Sequence, residues 1–301
     1  MSAGHHHHHH PEFKDINWLK PGSVGMIGVH LAALMVFFVP FAWKWVALCF
    51  ALYFVRMFGI TGGYHRYFSH RSFKTGRTFQ FLLALFGITS MQKGPLWWGA
   101  VHRHHHQHSD EEPDYHSPSW KGFFWAHLGW VLGPDANDVD QRRIADFAKY
   151  PELRWLDRWH AVPGVALAVL LFFLGGLPAL AWGFFASTVL VWHCTFAINS
   201  LTHMMGSRRY PTKDNSRNSL ILALLTLGEG WHNNHHYYKA STRQGFFWWE
   251  IDITYYILKA LSVVGVVWEL KEPPKHLLET GSLKREGPPE AEVVGIDSAA
   301  A

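Results

Sequence analysis

The sequence predicts an all-α integral membrane protein, with four transmembrane helices in two hairpins and a polar helical cap on one side. Two blocks, residues 24–62 and 162–201, are almost unbroken in apolar side chains, and each is long enough to cross a bilayer twice. Arg, Lys and His concentrate between and after these blocks, at the ends where a span would leave the membrane. Of the 23 histidines, six form an N-terminal run, and the remaining 17 are far more than an ordinary domain carries.

Residues 1–13 read as an expression tag with its flank and are set aside. Residues 14–270 then form one membrane domain. The spans are expected at about 24–43 and 45–62, joined only through Lys44, and at 162–177 and 178–201, joined by Gly175-Gly176-Leu177-Pro178. Arg56 lies inside the second span, where a charge is costly in lipid, so it is expected to face protein. His30, in the first span, has no partner at ligand spacing and reads as a packed or interfacial histidine, not a ligand. The cap comprises residues 64–160 and 203–270. Within it, 79–90 is apolar but too short to span and reads as an amphipathic or re-entrant helix on the membrane face, while 253–267, apolar around Lys259, reads as amphipathic and not spanning. Residues 271–301, rich in Pro, Glu and Gly, are expected to be a mobile tail. The excess of Lys and Arg on the cap side places both termini and the cap in the cytoplasm. A net charge of +4 gives no sign of a nucleic-acid partner. Cys49 and Cys194 sit in apolar runs and are assigned neither a disulfide nor a metal.

His102, His105 and His106 fall at i, i+3 and i+4, on one face of a helix, as do His232, His235 and His236. His65 and His70 are five apart, about 140° out of register on an ideal α-helix, so the helix must end or unwind there for both to face one site. His203 follows Asn199 by one turn at the end of the fourth span. These nine imidazoles exceed the six positions of one octahedral ion, which points to at least two metals. Imidazole suits Zn, Cu, Fe or Ni alike, and the absence of Cys ligands argues against structural zinc. Asp110, Asp114 and Glu229 are candidates to orient ring N–H groups and offset charge. A histidine-only, redox-capable pair at a membrane surface suggests oxygen activation on an apolar substrate, with no catalytic side chain separate from the metal centre.

Taken together, His65-x4-His70, His102-Arg103-x-His105-His106-x2-Ser109-Asp110, Asn199-x3-His203 and Gly228-Glu229-Gly230-x-His232-Asn233-x-His235-His236 resemble the membrane-bound acyl desaturases of the stearoyl-CoA (Δ9) type. The resemblance covers about residues 14–270. It implies a di-iron centre held by the nine histidines, with Asn199 holding a metal-bound water, and zinc able to replace iron on purification. It implies insertion of a cis double bond into a saturated acyl chain with O2 and two electrons. By position, Gln92, Trp98, Thr195 and Phe196 match residues at the kink of the substrate tunnel, with Phe196 where a Trp is usual. Where animal members read Trp-Ala-Arg-Asp, this chain has Trp98-Gly99-Ala100-Val101, which leaves the acyl carrier open among CoA, carrier protein and lipid. That context is closer to bacterial members, and implies the inner membrane of a bacterium. Electrons are expected from a separate ferredoxin- or cytochrome b5-type protein with its reductase. Two other readings share some of these features: a di-iron lipid hydroxylase or alkane monooxygenase, and a non-catalytic membrane metal-binding protein, which should carry polar ligands along its spans.

Overall fold

The computed structural model describes residues 16–133 and 139–283, so the expected tag and flank, and residues 284–301 of the expected tail, lie outside the described residues. The chain is mostly helical. Helix α1 (Pro21–Ala33) continues as a 3₁₀ turn, Leu34–Phe37, and stops before Pro40. Proline lacks an N–H and disfavours helical backbone at the residue before it, so the expected span 24–43 becomes Pro21–Phe37, three residues earlier and shorter. Helix α2 (Trp43–Phe58) runs directly into a π-helical segment, Gly59–Ser69. Then come α3 (Arg77–Ile88), α4 (Pro95–His108) and, after short helical pieces, α5 (Pro151–Arg158). Helix α6 (Val162–Ala179) and α7 (Ser187–Ser200) are joined by a π segment, Leu180–Ala186. Helices α8 (Leu220–Leu225), α9 (His232–Tyr237) and α10 (Ile253–Val263) complete the cap. A two-residue strand pair, Lys74–Thr75 against Val267–Trp268, ties its two halves together.

Trp43–Ser69 and Val162–His203 are long and apolar enough to cross a membrane. The second run folds back on itself at Gly175-Gly176, where Gly176 takes φ 64°. A Cβ at Gly183 would meet Leu171 at 3.3 Å and Leu48 at 3.0 Å, so the return limb packs tightly on both the outgoing limb and α2. Large apolar side chains cover the outside of these helices: Phe38 is 86% exposed and Phe173 80%, with Phe37, Trp43, Phe50 and Leu174 beside them in the same class. Proteins that face water on all sides rarely expose so much contiguous apolar surface.

Arg56 is 1% exposed and faces protein, as its position in an apolar run requires. Its guanidinium donates to Thr188 Oγ1 at 2.7 Å, to the Thr89 carbonyl at 3.3 Å and to Ser187 Oγ, locking α2 onto α7. The main core lies where the π segment meets α3 and α4, around Tyr64, Phe68, Leu83, Ile88 and Leu96. A Cβ on Gly59 would come within 2.3 Å of the Gly87 nitrogen, so this glycine permits the close crossing of the two helices.

Residues 271–283, expected to belong to a mobile tail, are instead packed on the cap. The Lys271 N–H donates to the Ser72 carbonyl at 3.0 Å, and α11 (Lys275–Leu283) follows, with Leu277 buried and its carbonyl accepting from Tyr210 Oη at 2.9 Å. A polar, Pro-rich composition does not reveal one apolar anchor such as Leu277.

Candidate metal centre

The π segment answers the spacing problem of the first histidine pair. A π-helix bonds i to i+5, and the His70 N–H donates to the His65 carbonyl at 3.2 Å. The helix widens through Gly59–Ser69 and ends on His70, its C-terminal flanking residue, and both rings face the same side.

The nine histidines gather into two adjoining groups, whose ligating atoms in each case lie within 4.8 Å of one another: His65, His70, His102, His106 and His235, and His105, His203, His232 and His236. We call these the five- and four-histidine sites. Each i, i+3, i+4 box is split between them, in opposite senses. His102 and His106 go to the five-histidine site and His105 to the other; His232 and His236 go to the four-histidine site and His235 to the other. One helical face therefore serves both sites, with the i+3 ring crossing over.

Several interactions fix the boxes. The α4 N-terminus is capped by Asp157 Oδ1, which accepts the Leu96 and Trp97 N–H groups at 3.0 and 2.9 Å. Arg103 reaches back to the Phe68 and Ser69 carbonyls and to both oxygens of Asp146, pinning α4 to the π segment. At α9, Asn218 Oδ1 accepts the Asn233 and Asn234 N–H groups, while the Asn233 side chain holds Tyr210 and that of Asn234 holds Gln244 and Glu250. Gly228 takes φ 123°, and a Cβ there would lie 2.3 Å from Asp252 Oδ1.

The donor set suits metal ions. In the five-histidine site the Nε2 atoms of His65 and His235 are 3.0 Å apart, those of His235 and His106 2.9 Å, those of His106 and His102 3.0 Å, and those of His102 and His70 3.0 Å. A neutral imidazole has one N–H. His65 presents its Nδ1 to Glu229 Oε2 at 2.5 Å, which leaves its Nε2 as a lone pair aimed at the other rings. Converging lone pairs repel unless a cation lies among them. Two nitrogens at right angles on a metal, at about 2.1 Å each, would be about 3.0 Å apart, which matches the spacing seen here.

In the four-histidine site the same polarity recurs. Nδ1 faces a carboxylate oxygen in His105 (Asp114, 3.0 Å), His203 (Asp110, 2.9 Å) and His236 (Asp214, 2.6 Å). His236 Nε2, aimed inward, is buried and has no hydrogen-bond partner among the described residues. Burial alone would raise the Asp114 carboxyl, but His105 and His116 hold it well below the usual range; burial likewise opposes His236 at Asp214, and the imidazole wins. Burial pushes His102, His106, His232 and His235 well below the ordinary histidine value, and neighbouring imidazoles push further, so these rings are neutral at pH 7 and able to ligate.

Asp110, Asp114 and Glu229 thus each stand against a candidate ligand ring. Asp214 does too, yet nothing in its local sequence sets it apart from other loop acids. His104 and His108 turn outward, to the Pro113 carbonyl and Glu111. His30 has a partner that spacing did not reveal: its Nε2 is 2.9 Å from that of His193, which in turn meets His127.

Two apolar cavities adjoin the histidines. Both are lined by Trp98, His102, Thr195 and Asn199, so they meet at that point beside the two histidine sites. Gln92 and Phe196 line the larger one only, with Trp130 and His116, while Ile60 and Thr226 line the other. Gln92 Nε2 donates to Thr195 Oγ1 at 3.1 Å, and Trp98 stacks on His102 with centroids 5.0 Å apart.

The fatty acid desaturase family model matches residues 41–262. The chain is 39% identical over 260 residues to an sn-1 stearoyl-lipid 9-desaturase of Anabaena variabilis, covering 85% of this chain and 94% of that one. It is 40% identical over 256 residues to the protein of the same name from Synechocystis, covering 82% and 78%. It is 38% identical over 259 residues to a chloroplastic palmitoyl-monogalactosyldiacylglycerol delta-7 desaturase of Arabidopsis thaliana, covering 84% and 69%.

Proposed function

The chain belongs to the fatty acid desaturase family and is an acyl desaturase, and from that premise we propose that it is an O2-dependent di-iron enzyme placing a cis double bond at the ninth carbon of a saturated, lipid-carried acyl chain. The observation that carries the reading is the pair of histidine sites at the junction of two apolar cavities. In this reading the nine histidines would hold two iron ions, and Asn199 would hold a water beside them. Iron bound there supplies the activation of O2. Overall, –CH2–CH2– with O2, two electrons and two protons gives –CH=CH– and two water molecules.

The chain's own residues do the rest. Trp98 and Thr195 flank the cavity junction, so an acyl chain occupying both cavities bends there and holds one pair of methylenes beside His102. Gln92 fixes the Thr195 hydroxyl, and Phe196 sets the wall of the larger cavity. Asp110, Asp114, Asp214 and Glu229 hold ring tautomers so that Nε2 faces the metal. The lipid carrier and the ninth carbon are supported by the names of the cyanobacterial relatives, and the carrier also by Trp98-Gly99-Ala100-Val101, which lacks a charged pair. We place four helices across the bilayer, with α1–α2 and α6–α7 as hairpins and the cap and both termini on the cytoplasmic side of a bacterial inner membrane. The exposed apolar side chains of these helices support that arrangement.

The test is expression in a bacterial host, with total fatty acids analysed by mass spectrometry and the double bond located by derivatisation, against a His105→Ala control. A new cis-Δ9 monoene in membrane lipids, absent from the control, is the expected result. A hydroxy acid would overturn the desaturation reading, and a monoene found only on CoA would overturn the carrier.

A further inference from the structure

Apart from histidines, Lys93 is the one ionisable side chain lining the larger cavity among the described residues. It sits in the turn before α4, with its backbone in the left-handed region at φ 63°, as is that of Met91 at φ 61°. That conformation is costly for a residue with a side chain, and the surroundings impose it. Buried Tyr64 donates to the Lys93 carbonyl at 2.9 Å, and Trp192 Nε1 donates to the Ser90 carbonyl at 2.7 Å. Lys93 Nζ lies 4.2 Å from the centre of the Trp97 ring, and Trp97 stacks on Trp130, which lines the same cavity. A second ammonium stands at this end: Lys20 Nζ donates to the carbonyl of Gly133, just beyond the cavity-lining Val131, at 3.1 Å. Burial, and then the charge of Lys20, push the Lys93 ammonium down to about 8 against the pull of Asp157, so it is still a cation at pH 7. Asp157 Oδ1 is itself engaged in capping α4.

We infer that Lys93, with Lys20 beside it, binds the phosphate of a phospholipid whose acyl chain occupies the cavities, so that this end of the larger cavity selects phosphate-bearing lipids over galactolipids. The inference rests on the proposed desaturation of a lipid-carried chain and adds the class of lipid. The spacing agrees with it. His102 lies seven residues after Pro95 on α4, about 10 Å along the helix axis. Eight C–C bonds of about 1.5 Å in an extended chain also span about 10 Å. With the ninth carbon beside His102, the ester carbonyl reaches the start of α4, next to Lys93, and the phosphate lies a few bonds beyond. Lys20 immediately precedes α1, the proposed first span, so it marks the level of the membrane interface, where lipid phosphates lie. Met26, inside α1, lines the cavity as well, so the cavity extends to that helix. An ammonium held among tryptophan rings is stabilised by an anion far more than by neutral sugar hydroxyls. The phosphates of CoA or of a carrier protein offer the same chemistry, but the place of Lys20 at the head of a span favours a phosphate that belongs to the bilayer.

The experiment is equilibrium binding of radiolabelled distearoyl phosphatidylglycerol to the full chain in an uncharged detergent, with monogalactosyl distearoylglycerol and stearoyl-CoA as separate probes. Wild type is compared with Lys93→Gln, Lys93→Arg and Lys20→Gln, and thermal unfolding of each variant checks its fold. Wild type should bind phosphatidylglycerol about tenfold more tightly than the galactolipid. The phosphatidylglycerol Kd should rise about tenfold in Lys93→Gln and about threefold in Lys20→Gln, and stay near wild type in Lys93→Arg, while the galactolipid Kd is unchanged throughout. Should Lys93→Gln fail to fold, the preference of wild type and the Lys20→Gln shift carry the test. Equal affinity of wild type for the two lipids, or an unchanged phosphatidylglycerol Kd in folded Lys93→Gln, overturns the phosphate site. Tighter binding of stearoyl-CoA than of phosphatidylglycerol, lost in Lys93→Gln, overturns the phospholipid as the source of the phosphate. Fatty acid analysis of cells making wild type separates the two readings. Lys93-dependent phospholipid binding with a hydroxy acid in place of a monoene overturns desaturation and leaves the phosphate site standing, whereas normal monoene with equal affinity for the two lipids does the reverse.

Discussion

The two histidine sites are built from the same spacing but differ in what stands behind them. In the four-histidine site three of four rings present Nδ1 to a carboxylate, from Asp110, Asp114 and Asp214. In the five-histidine site, among the described residues, Glu229 alone does this, for His65, and the same carboxylate is shared with buried Arg66 at 3.0 Å. An anionic partner makes the imidazole a stronger donor and offsets metal charge. The four-histidine site is therefore the better home for a cation of higher charge. The five-histidine site replaces carboxylates with one more neutral ring, and it borders both apolar cavities.

The sharpest way to break this comparison is to remove one ring from each site. His235→Ala and His105→Ala should each abolish desaturation while the protein still inserts, and metal analysis should show loss of about one ion per chain. Full activity in either would sink the two-site assignment. Next in size are the carboxylates. Asp214→Asn should weaken metal retention about 10- to 100-fold, measured by chelator competition. Glu229→Gln should weaken the other ion and, through Arg66, also lower thermal stability. Equal metal affinity in Asp214→Asn and wild type would remove the asymmetry argued here. Asn199→Ala should have a smaller effect, lowering turnover or one ion's occupancy several-fold; no change in either would reduce Asn199 to a cavity-lining residue.

The smallest effect concerns acid stability of the metal-free protein. Burial pushes His236 from 6.5 down to about 4, and His116 from 6.5 to about 3. Below pH 6.5 the unfolded chain takes up these protons and the folded chain does not, so folding is penalised increasingly as pH falls through that window. The stability contribution is fully present above pH 6.5. Thermal unfolding of apoprotein should thus drop from pH 6.5 toward 4, and at least as steeply with metal bound, because a bound metal keeps the ligating rings free of protons. A flat profile would mean these rings are not held neutral.

The sequence by itself determined a great deal. Apolar run length marked the helices, because a bilayer demands length and saturation of apolar side chains. The i, i+3, i+4 spacing marked six of the nine histidines, because helical geometry alone places those positions on one face. It also required Arg56 to find protein partners, although not that they would be Thr188 and Ser187. Other features needed the folded chain. The division of each box between two sites depends on how α4 and α9 face each other, and no spacing within either helix encodes it. The i+5 pair His65 and His70 required a π segment, whose wider turn is held by tertiary packing against α3 and has no propensity signature of its own. Asp214 lies 22 residues before the ring it orients. Local periodicity is written in the chain; which distant side chains converge is decided only when the helices pack.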